Sequence, residues 1–300
     1  MLSDEEIDKL RKAGWIAKKV LENTVRIVKP GVKIIDLVNY IEKNIEELGG
    51  KPAFPVNIGI NEIAAHYTPL HGDNSTIPDN SVLKIDIGVH VDGYIADTAI
   101  TISFNPAYEG LVEAPRRALE KVLNVIKPGI KLNTIGRIIE ETINEMGYRV
   151  IKNLSGHSID RYLIHSGRSI PNTYEVFNRD TLVNGVYAIE PFATNGVGFV
   201  KDTSLVTIYS LKEYSRKKLG FYEEKLYNTI WFTRKTLPFC ERWFIDMYDS
   251  VEKIRGILNS LESKGIVRKY PVLVEDRRGV VSQFEHTIVV SNRDIIVTTI

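Results

Sequence analysis

An internal repeat constrains the fold of this 300-residue chain more strongly than any other feature. The segment 29–33, Lys-Pro-Gly-Val-Lys, returns 98 residues later as segment 127–131, Lys-Pro-Gly-Ile-Lys. Flanking positions match at the same offset: Leu21-Glu22 with Leu119-Glu120, Ile41-Glu42 with Ile139-Glu140, Ile45 with Ile143, Glu47 with Glu145, and Gly49 with Gly147. A long period that occurs twice argues against a solenoid. It predicts two similar α/β halves that face each other, with a site in the cleft between them.

The N-terminal segment carries a helix start signal. Ser3 followed by Glu6 is the pattern of a capping box, and apolar residues then recur at helical spacing from Ile7 to Leu21. We expect this helix to end near Val28, before the first Lys-Pro-Gly turn.

The composition excludes several functional classes. A formal net charge of +1, with 43% apolar and 26% charged residues, is typical of a soluble globular protein and gives no overall attraction to nucleic acid or to an anionic membrane. The single cysteine, Cys240, cannot form an intrachain disulfide and is interpreted as a small packing residue. Neither a secretion signal nor a membrane-spanning apolar run is recognisable. We therefore expect a cytoplasmic protein without a membrane partner.

Residues 210–270 differ in composition from the rest of the chain. They have helical patterns and many basic residues, and strand-like sequence resumes at 272–274. We interpret them as a helical subdomain inserted into a catalytic domain formed by residues 1–209 and 271–300. Its end, a helix pattern followed by a short strand, resembles a winged helix, which can bind nucleic acid. Because no recognition-helix signature accompanies it, we favour solvated basic helix faces and predict no specific nucleic-acid partner.

Two aspartates lie on a predicted hairpin. Asp92-Gly93 separates two β-prone runs, which predicts a two-residue turn that places Asp86 opposite Ala99. Since side chains alternate along a strand, Asp86 and Asp97 should share one face as diagonal neighbours, about 7 Å apart at Cβ. Converging carboxylates at that spacing can bind metal ions. The alternative is a solvated hairpin whose aspartates face water.

Two glutamates lie in apolar, strand-like sequence, Glu190 within residues 186–192 and Glu285 within residues 283–290. A buried carboxylate is costly unless it is paired or binds a metal, although either residue could also be exposed or salt-bridged. Together with the two aspartates and one histidine, these glutamates form the ligand set expected for two divalent metal ions bound mainly by oxygen.

Three of the six histidines lie in polar segments close to glycine or proline: His66, His157 and His165. A lone histidine is usually a hydrogen-bonding or surface residue, whatever roles its pKa permits. We assign His71, His90 and His286 to that class.

These residues resemble methionine aminopeptidases, the pita-bread metallopeptidases, along essentially the whole chain. The matching stretches are residues 53–69, the Asp86 hairpin, and residues 153–157, 189–192 and 283–287. The inserted segment resembles that of the type II class, and the absence of a long N-terminal extension resembles the short archaeal form. The resemblance implies an α+β pita-bread fold of two pseudo-symmetric α/β halves, with an inserted helical, winged-helix-like subdomain.

The resemblance also implies a metal ligand set of Asp86, Asp97, His157, Glu190 and Glu285. Asp86 would chelate the first metal, Asp97 and Glu285 would bridge both, and His157 and Glu190 would complete the second. The cofactor would be two divalent metal ions per chain, and oxygen-rich ligation permits cobalt, manganese, iron or zinc.

Further roles follow from the same resemblance. The catalytic residues would be His66, His165 and Glu190. The substrate-binding residues would be Phe54, Pro55, His66, Ile164, His165, Phe192 and Tyr270. Asn57 falls where other family members carry glycine, and Ile208 falls where the larger form has histidine.

The implied activity is removal of the initiator methionine from nascent proteins, with a small second residue, by attack of a metal-activated water. The partners would be peptides and nascent-protein N-termini that begin with methionine. Ribosome association is left open, and we expect a monomer. A proline-directed relative, aminopeptidase P or prolidase, is one alternative, and a noncatalytic relative that binds proteins or RNA is the other. The intact ligand set argues against the noncatalytic alternative.

Overall fold

The computed structural model describes residues 2–292 and 294–300, so Met1 and Arg293 lie outside the described residues. The α-helices are α1 (Asp4–Val25), α2 (Ile34–Glu47), α3 (Glu109–Val125), α4 (Leu132–Glu145), α5 (Phe221–Arg234) and α6 (Val251–Ser263), with short 3-10 helices at Pro106–Tyr108 and Glu241–Met247. The strands are β1 (Lys51–Pro52), β2 (Asn57–Ile60), β3 (Ile63–Ala65), β4 (Val82–Val91), β5 (Tyr94–Ser103), β6 (Arg149–Val150), β7 (Ser155–Ile159), β8 (Ser169–Pro171), β9 (Gly185–Ile189), β10 (Phe192–Thr194), β11 (Val200–Leu211), β12 (Val267–Glu275), β13 (Val281–Gln283), β14 (His286–Val290) and β15 (Ile295–Val297).

Two helical pairs form the outer layers, α1 with α2 and α3 with α4. The first pair packs its apolar faces on the sheet that contains β4, where Ile16, Val38 and Ile85 are fully buried together. The second pair covers the sheet that contains β9 and β14, and Ile139 and Ile288 lie in its core. In each half, the apolar faces of the two helices are buried against the sheet, and this burial is the main contribution to stability. The predicted α+β architecture with two related halves is confirmed.

Helix α1 begins as predicted, because the Ser3 hydroxyl caps the N–H of Glu6 and the Glu6 carboxylate accepts from the N–H of Ser3. Its end was predicted near Val28, and this prediction is wrong by three residues, since the last helical residue is Val25. The chain closes there in a turn, in which the N–H groups of Ile27 and Val28 both donate to the carbonyl of Thr24.

The β4–β5 hairpin has the predicted register. Asp86 lies opposite Ala99 and Val91 lies opposite Tyr94. The turn residues have left-handed backbones, with φ of 52° at Asp92 and 87° at Gly93. Positive φ at both central positions matches the twist of the flanking strands, which is why an Asp-Gly pair fixes this register.

The main sheets of the two halves are joined near Ala99 and Glu285. β4 pairs with β1, β2 and β5, whereas the second half contains a five-stranded sheet in the order β15-β14-β9-β7-β8. An antiparallel bridge between Ala99 and Glu285 joins the first half to the approach of β14.

Residues between β11 and β12 form a separate apolar cluster, in which Leu226, Phe239 and Leu258 are buried. The short strand predicted at 266–270, after the last helix, is confirmed, but it is continuous with the strand-like sequence at 272–274: both belong to β12, which begins at Val267 and pairs with the end of β11. The predicted limits of the insertion, 210 and 270, therefore fall inside two paired strands. The division into residues 1–209 with 271–300 and residues 210–270 stays a prediction.

Sequence analysis assigned no catalytic or metal-binding role to Cys240, His71, His90 or His286, and each lies in the core, at the surface or in a hydrogen bond. Cys240 is buried, and His71 is exposed. His90 is buried beneath the hairpin turn, where its Nδ1 accepts the N–H of Gly93 at 3.1 Å. His286 contacts the hydroxyl of Thr299. Across residues 2–292 and 294–300, every helix is too short or too polar to traverse a lipid bilayer.

Candidate metal centre

The hairpin carries Asp86 and Asp97 on one face, as its register requires. Asp97 is locked to β14 because the Thr287 hydroxyl accepts its N–H at 2.7 Å and donates to its carbonyl at 2.8 Å. The hydroxyl of Thr98 donates to the carbonyl of Glu285 at 2.7 Å. These long-range hydrogen bonds fix the carboxylates of the two halves against each other.

The second half contributes His157 from β7 and Glu190 from the end of β9. The two strands are paired, with His157 opposite Ala188. His157 Nε2 lies 3.5 Å from Asp97 Oδ2 and 3.4 Å from Glu190 Oε1. One imidazole nitrogen therefore stands between carboxylates from opposite halves.

Charges of the same sign crowd this centre. Burial raises the pKa of Asp97 to about 8. Burial, followed by the neighbouring Asp97 carboxylate, raises the pKa of Glu285 and of Glu190 well above the ordinary value. Burial lowers the pKa of His157 to about 4, which leaves a neutral imidazole as a possible ligand. Four carboxylates cannot all ionise here without cations, because like charges in a dry site oppose one another.

The residues fit divalent metal ions. One ligand atom from each of Asp97, His157 and Glu285 lies within 4.8 Å of the other two. Ligand bonds of about 2.1 Å permit separations of roughly 3 to 3.5 Å between ligand atoms, as seen around His157 Nε2. The oxygens Asp86 Oδ1, Asp97 Oδ1 and Glu285 Oε1 are buried without a hydrogen-bond partner among the described residues. Buried carboxylate oxygens normally have partners, so these atoms are free to bind cations.

The carboxylates open onto a cavity of about 400 Å³. Eleven of the twelve residues named from the sequence line it: Phe54, His66, Asp86, Asp97, His157, Ile164, His165, Glu190, Phe192, Tyr270 and Glu285. Pro55 is buried but does not line the cavity.

Sequence reasoning assigned no role to several other lining residues: Asn153, Leu154, Arg168, Ser169, Pro238 and Arg268. Asn153 and Leu154 lie in a matched stretch next to His157, and this adjacency was the available signal. Arg168, Pro238 and Arg268 reach the cavity through long-range packing, which no local pattern indicates.

Four rings form one side of the cavity: those of His66, His157, His165 and Tyr270. The ring centroids of His157 and His165 are 4.4 Å apart, and those of His66 and Tyr270 are 5.5 Å apart in an edge-to-face arrangement. Burial lowers the pKa of His66, which favours its neutral form. Its Nδ1 lies 3.2 Å from the carbonyl of Pro271, which can only accept, so Nδ1 carries the proton and Nε2 is an acceptor.

Comparison with known proteins decides the family. Residues 8–292 match metallopeptidase family M24. The chain belongs to this family. This M24 chain is 47% identical to a methionine aminopeptidase of Pyrococcus abyssi strain GE5 / Orsay, over 98% of this chain and 99% of the relative. It is 45% identical to a methionine aminopeptidase of Methanocaldococcus jannaschii, with 98% and 99% covered. The resemblance stated from the sequence is confirmed.

Solved structures confirm the fold of this M24 chain. A thermophilic Arx1 superposes with a TM-score of 0.85 at 19% identity, covering 99% of this chain and 91% of that one. The Thermotoga maritima methionine aminopeptidase gives a TM-score of 0.71 at 22% identity, with 99% and 98% covered. A prolidase from Pyrococcus horikoshii OT3 gives 0.61 at 18% identity, with 99% and 62% covered. At these identities the likeness concerns the fold alone.

Proposed function

We propose that this chain is a methionine aminopeptidase that removes the initiator methionine from new polypeptides and prefers a small second residue. The observation that carries the proposal is one cavity in which Asp97, His157 and Glu285 converge beside apolar side chains. The name methionine aminopeptidase, borne by relatives of matching length such as that of Pyrococcus abyssi, supports it.

The residues proposed to hold two divalent cations are Asp86, Asp97, His157, Glu190 and Glu285. When bound, such a pair acidifies a water molecule and polarises the substrate carbonyl near neutral pH. Cobalt, manganese, iron and zinc all suit a set dominated by carboxylates with one imidazole.

Glu190 is our candidate for moving the proton from water to the leaving nitrogen. Its side chain is 14% exposed, compared with 5% for Asp97, so Glu190 faces the cavity more openly. A group that exchanges protons with a substrate needs this access.

His66 and His165 are proposed to support the tetrahedral intermediate. With the proton on Nδ1, Nε2 of His66 can accept the N–H of the scissile amide and hold the leaving nitrogen. His165 lies against His157 at the exposed side of the cavity, where a nitrogen can donate to the developing oxyanion.

The apolar side chains of Phe54, Ile164 and Phe192 are buried at the cavity wall, where they would contact the methionine side chain. Tyr270 would close this pocket, and Pro55 would support it from behind. The free amino terminus would lie beside the carboxylates, which accounts for an exopeptidase. These assignments imply peptides and nascent-protein N-termini as partners and a cytoplasmic setting. Ribosome association and a monomeric state belong to the same proposal.

A metal reconstitution experiment tests the function. The metal-stripped protein receives Co²⁺, Mn²⁺, Fe²⁺ or Zn²⁺ singly, and release of methionine from Met-Ala-Ser is compared with Met-Leu-Ser and with an X-Pro peptide. We expect turnover of Met-Ala-Ser above both others. His66→Ala should abolish most activity, whereas His71→Ala, at an exposed histidine nearby, should not. Selective cleavage of the X-Pro peptide would make the chain proline-directed, and no turnover with any cation would favour the noncatalytic alternative.

A further inference from the structure

His66 has an unusual backbone conformation. It follows β3 directly, and its φ of 65° lies in the left-handed region. A residue with a Cβ rarely adopts that conformation, because its Cβ then lies too close to the following carbonyl oxygen. Such strain persists only where the surrounding structure imposes it, and it is common at functional sites.

Two side chains, one from a strand close in sequence and one from a strand distant in sequence, hold the two backbone polar groups of His66. The Asn57 side-chain oxygen on β2 accepts its N–H at 2.8 Å. The Thr207 hydroxyl on β11 donates to its carbonyl at 3.2 Å and accepts the N–H of Thr68 at 3.1 Å. Both Asn57 and Thr207 are buried, and the hydroxyl of Thr207 is committed in both directions.

Asn57 also relates His66 to the rest of the site. It lies directly opposite Asp86 in the pairing of β2 with β4. Its amide nitrogen donates to the carbonyl of Pro55 at 2.9 Å. The Asn57 side chain therefore connects His66 to Pro55, and the Asn57 backbone belongs to the strand paired with the one that carries Asp86.

We propose that Asn57 and Thr207 are positioning residues that hold His66 in its left-handed conformation and so aim its imidazole at the scissile bond. The inference rests on the proposed function, because it concerns how a residue of that site is held. Without the two side chains, the backbone of His66 would relax toward negative φ and the ring would leave its contact with Tyr270 and the Pro271 carbonyl.

The test starts with Thr207→Val, which keeps the shape of the side chain and removes the hydroxyl. We expect kcat for Met-Ala-Ser to fall roughly 10-fold with little change in KM, because misplacing a reacting group costs rate. Thr207→Ser, which retains the hydroxyl, should restore kcat. The matched control is Thr194→Val, because Thr194 is equally buried, donates to the Val280 carbonyl, accepts the Gly196 N–H and does not line the cavity.

A double-mutant cycle tests Asn57. Asn57→Ala should lower kcat about 10- to 100-fold in the wild type, but by less than about 2-fold when His66 is already alanine. An equal loss in both backgrounds would overturn the inference for Asn57. A Thr207→Val kcat matching the wild type, or a loss equal to that of Thr194→Val, would overturn it for Thr207. Failure of the proposed function is separate, since the wild type itself would then not release methionine.

Discussion

In both halves of the molecule, a Lys-Pro-Gly turn leads into a helix through the same contacts. The N–H of Gly31 donates to Ile77 at 2.8 Å, and the N–H of Gly129 donates to Leu182 at 2.8 Å. Lys33 and Lys131 make equivalent isolated bridges, to Thr76 and to Thr181. The turns that lead into α2 and α4 are thus held by equivalent contacts in the two halves.

The sheets of the two halves have diverged. The first half supplies both its candidate ligands, Asp86 and Asp97, from one tight hairpin. The second half supplies His157, Glu190 and Glu285 from three separate places around β7, β9 and β14. Burial of apolar faces requires the same helices in each half, whereas a mixed nitrogen and oxygen site requires different side chains on the two sides. The comparison teaches that scaffold and site respond to different physical demands.

We expect the largest effect from a substitution that removes a candidate metal ligand and leaves the two helical layers unchanged. Asp97→Asn removes a carboxylate charge at the junction of the halves, so metal content should fall and kcat should drop roughly 10³-fold, equivalent to about 4 kcal/mol. Metal analysis and Met-Ala-Ser turnover measure both. Asp92→Asn is the control in the same hairpin: Asp92 is exposed, and asparagine suits its left-handed turn position. If Asp92→Asn lost as much metal and kcat as Asp97→Asn, the cause would be disruption of the hairpin, and Asp97 would not be shown to bind metal.

A smaller effect concerns Glu275, the last residue of β12. Its side chain is fully buried and accepts N–H bonds from four residues: Val197, Gly198, Arg277 and Gly279. Burial alone would raise the pKa of this carboxyl, but the four donors bring it below the usual 4.5. A lowered folded pKa adds stability that is present above about pH 4.5 and lost as pH falls through the folded value.

Glu275→Gln should therefore lower the free energy of unfolding by about 2 to 3 kcal/mol at pH 7. The difference from wild type should shrink below pH 4.5. Urea unfolding of both metal-free proteins across pH measures this. Glu62→Gln, at a glutamate paired with the exposed Arg278, should cost less than about 1 kcal/mol. If the difference in unfolding free energy between wild type and Glu275→Gln stayed constant with pH, Glu275 would not be stabilising the fold as a charged carboxylate.

The sequence was most informative about structure that is determined by residues close together in the chain. Asp92-Gly93 predicted the hairpin register because few residues tolerate two successive positive φ values, and Ser3 with Glu6 predicted the start of α1. The repeat predicted two halves because each copy contains the same turn and helix signals.

Contacts between distant segments could not be predicted in this way. Lys84 is buried at 1% exposure, and its ammonium donates to the carbonyls of Asn61 and Val281. Thr207 reaches His66 across 141 residues of chain. Such partners are backbone groups, and a backbone carbonyl carries no signature in the residue letters. Hairpin parity singled out Asp86 and Asp97, and apolar context singled out Glu190 and Glu285. The choice of His157 and the role of each ligand came from the resemblance, since the distances between these side chains depend on the same long-range packing.

The smallest expected effect sharpens the comparison of the two turns. Gly31 has φ of 84° and Gly129 has φ of 81°, and an added Cβ at either would meet no described heavy atom within 4 Å. Gly31→Ala and Gly129→Ala should therefore each cost about 1 kcal/mol of unfolding free energy, from backbone strain alone. Urea denaturation of the two variants side by side measures this, and kcat should be unchanged because the site lies on the sheets. Unequal costs would mean that the two copies, although alike in geometry, are not equally braced by their sheets.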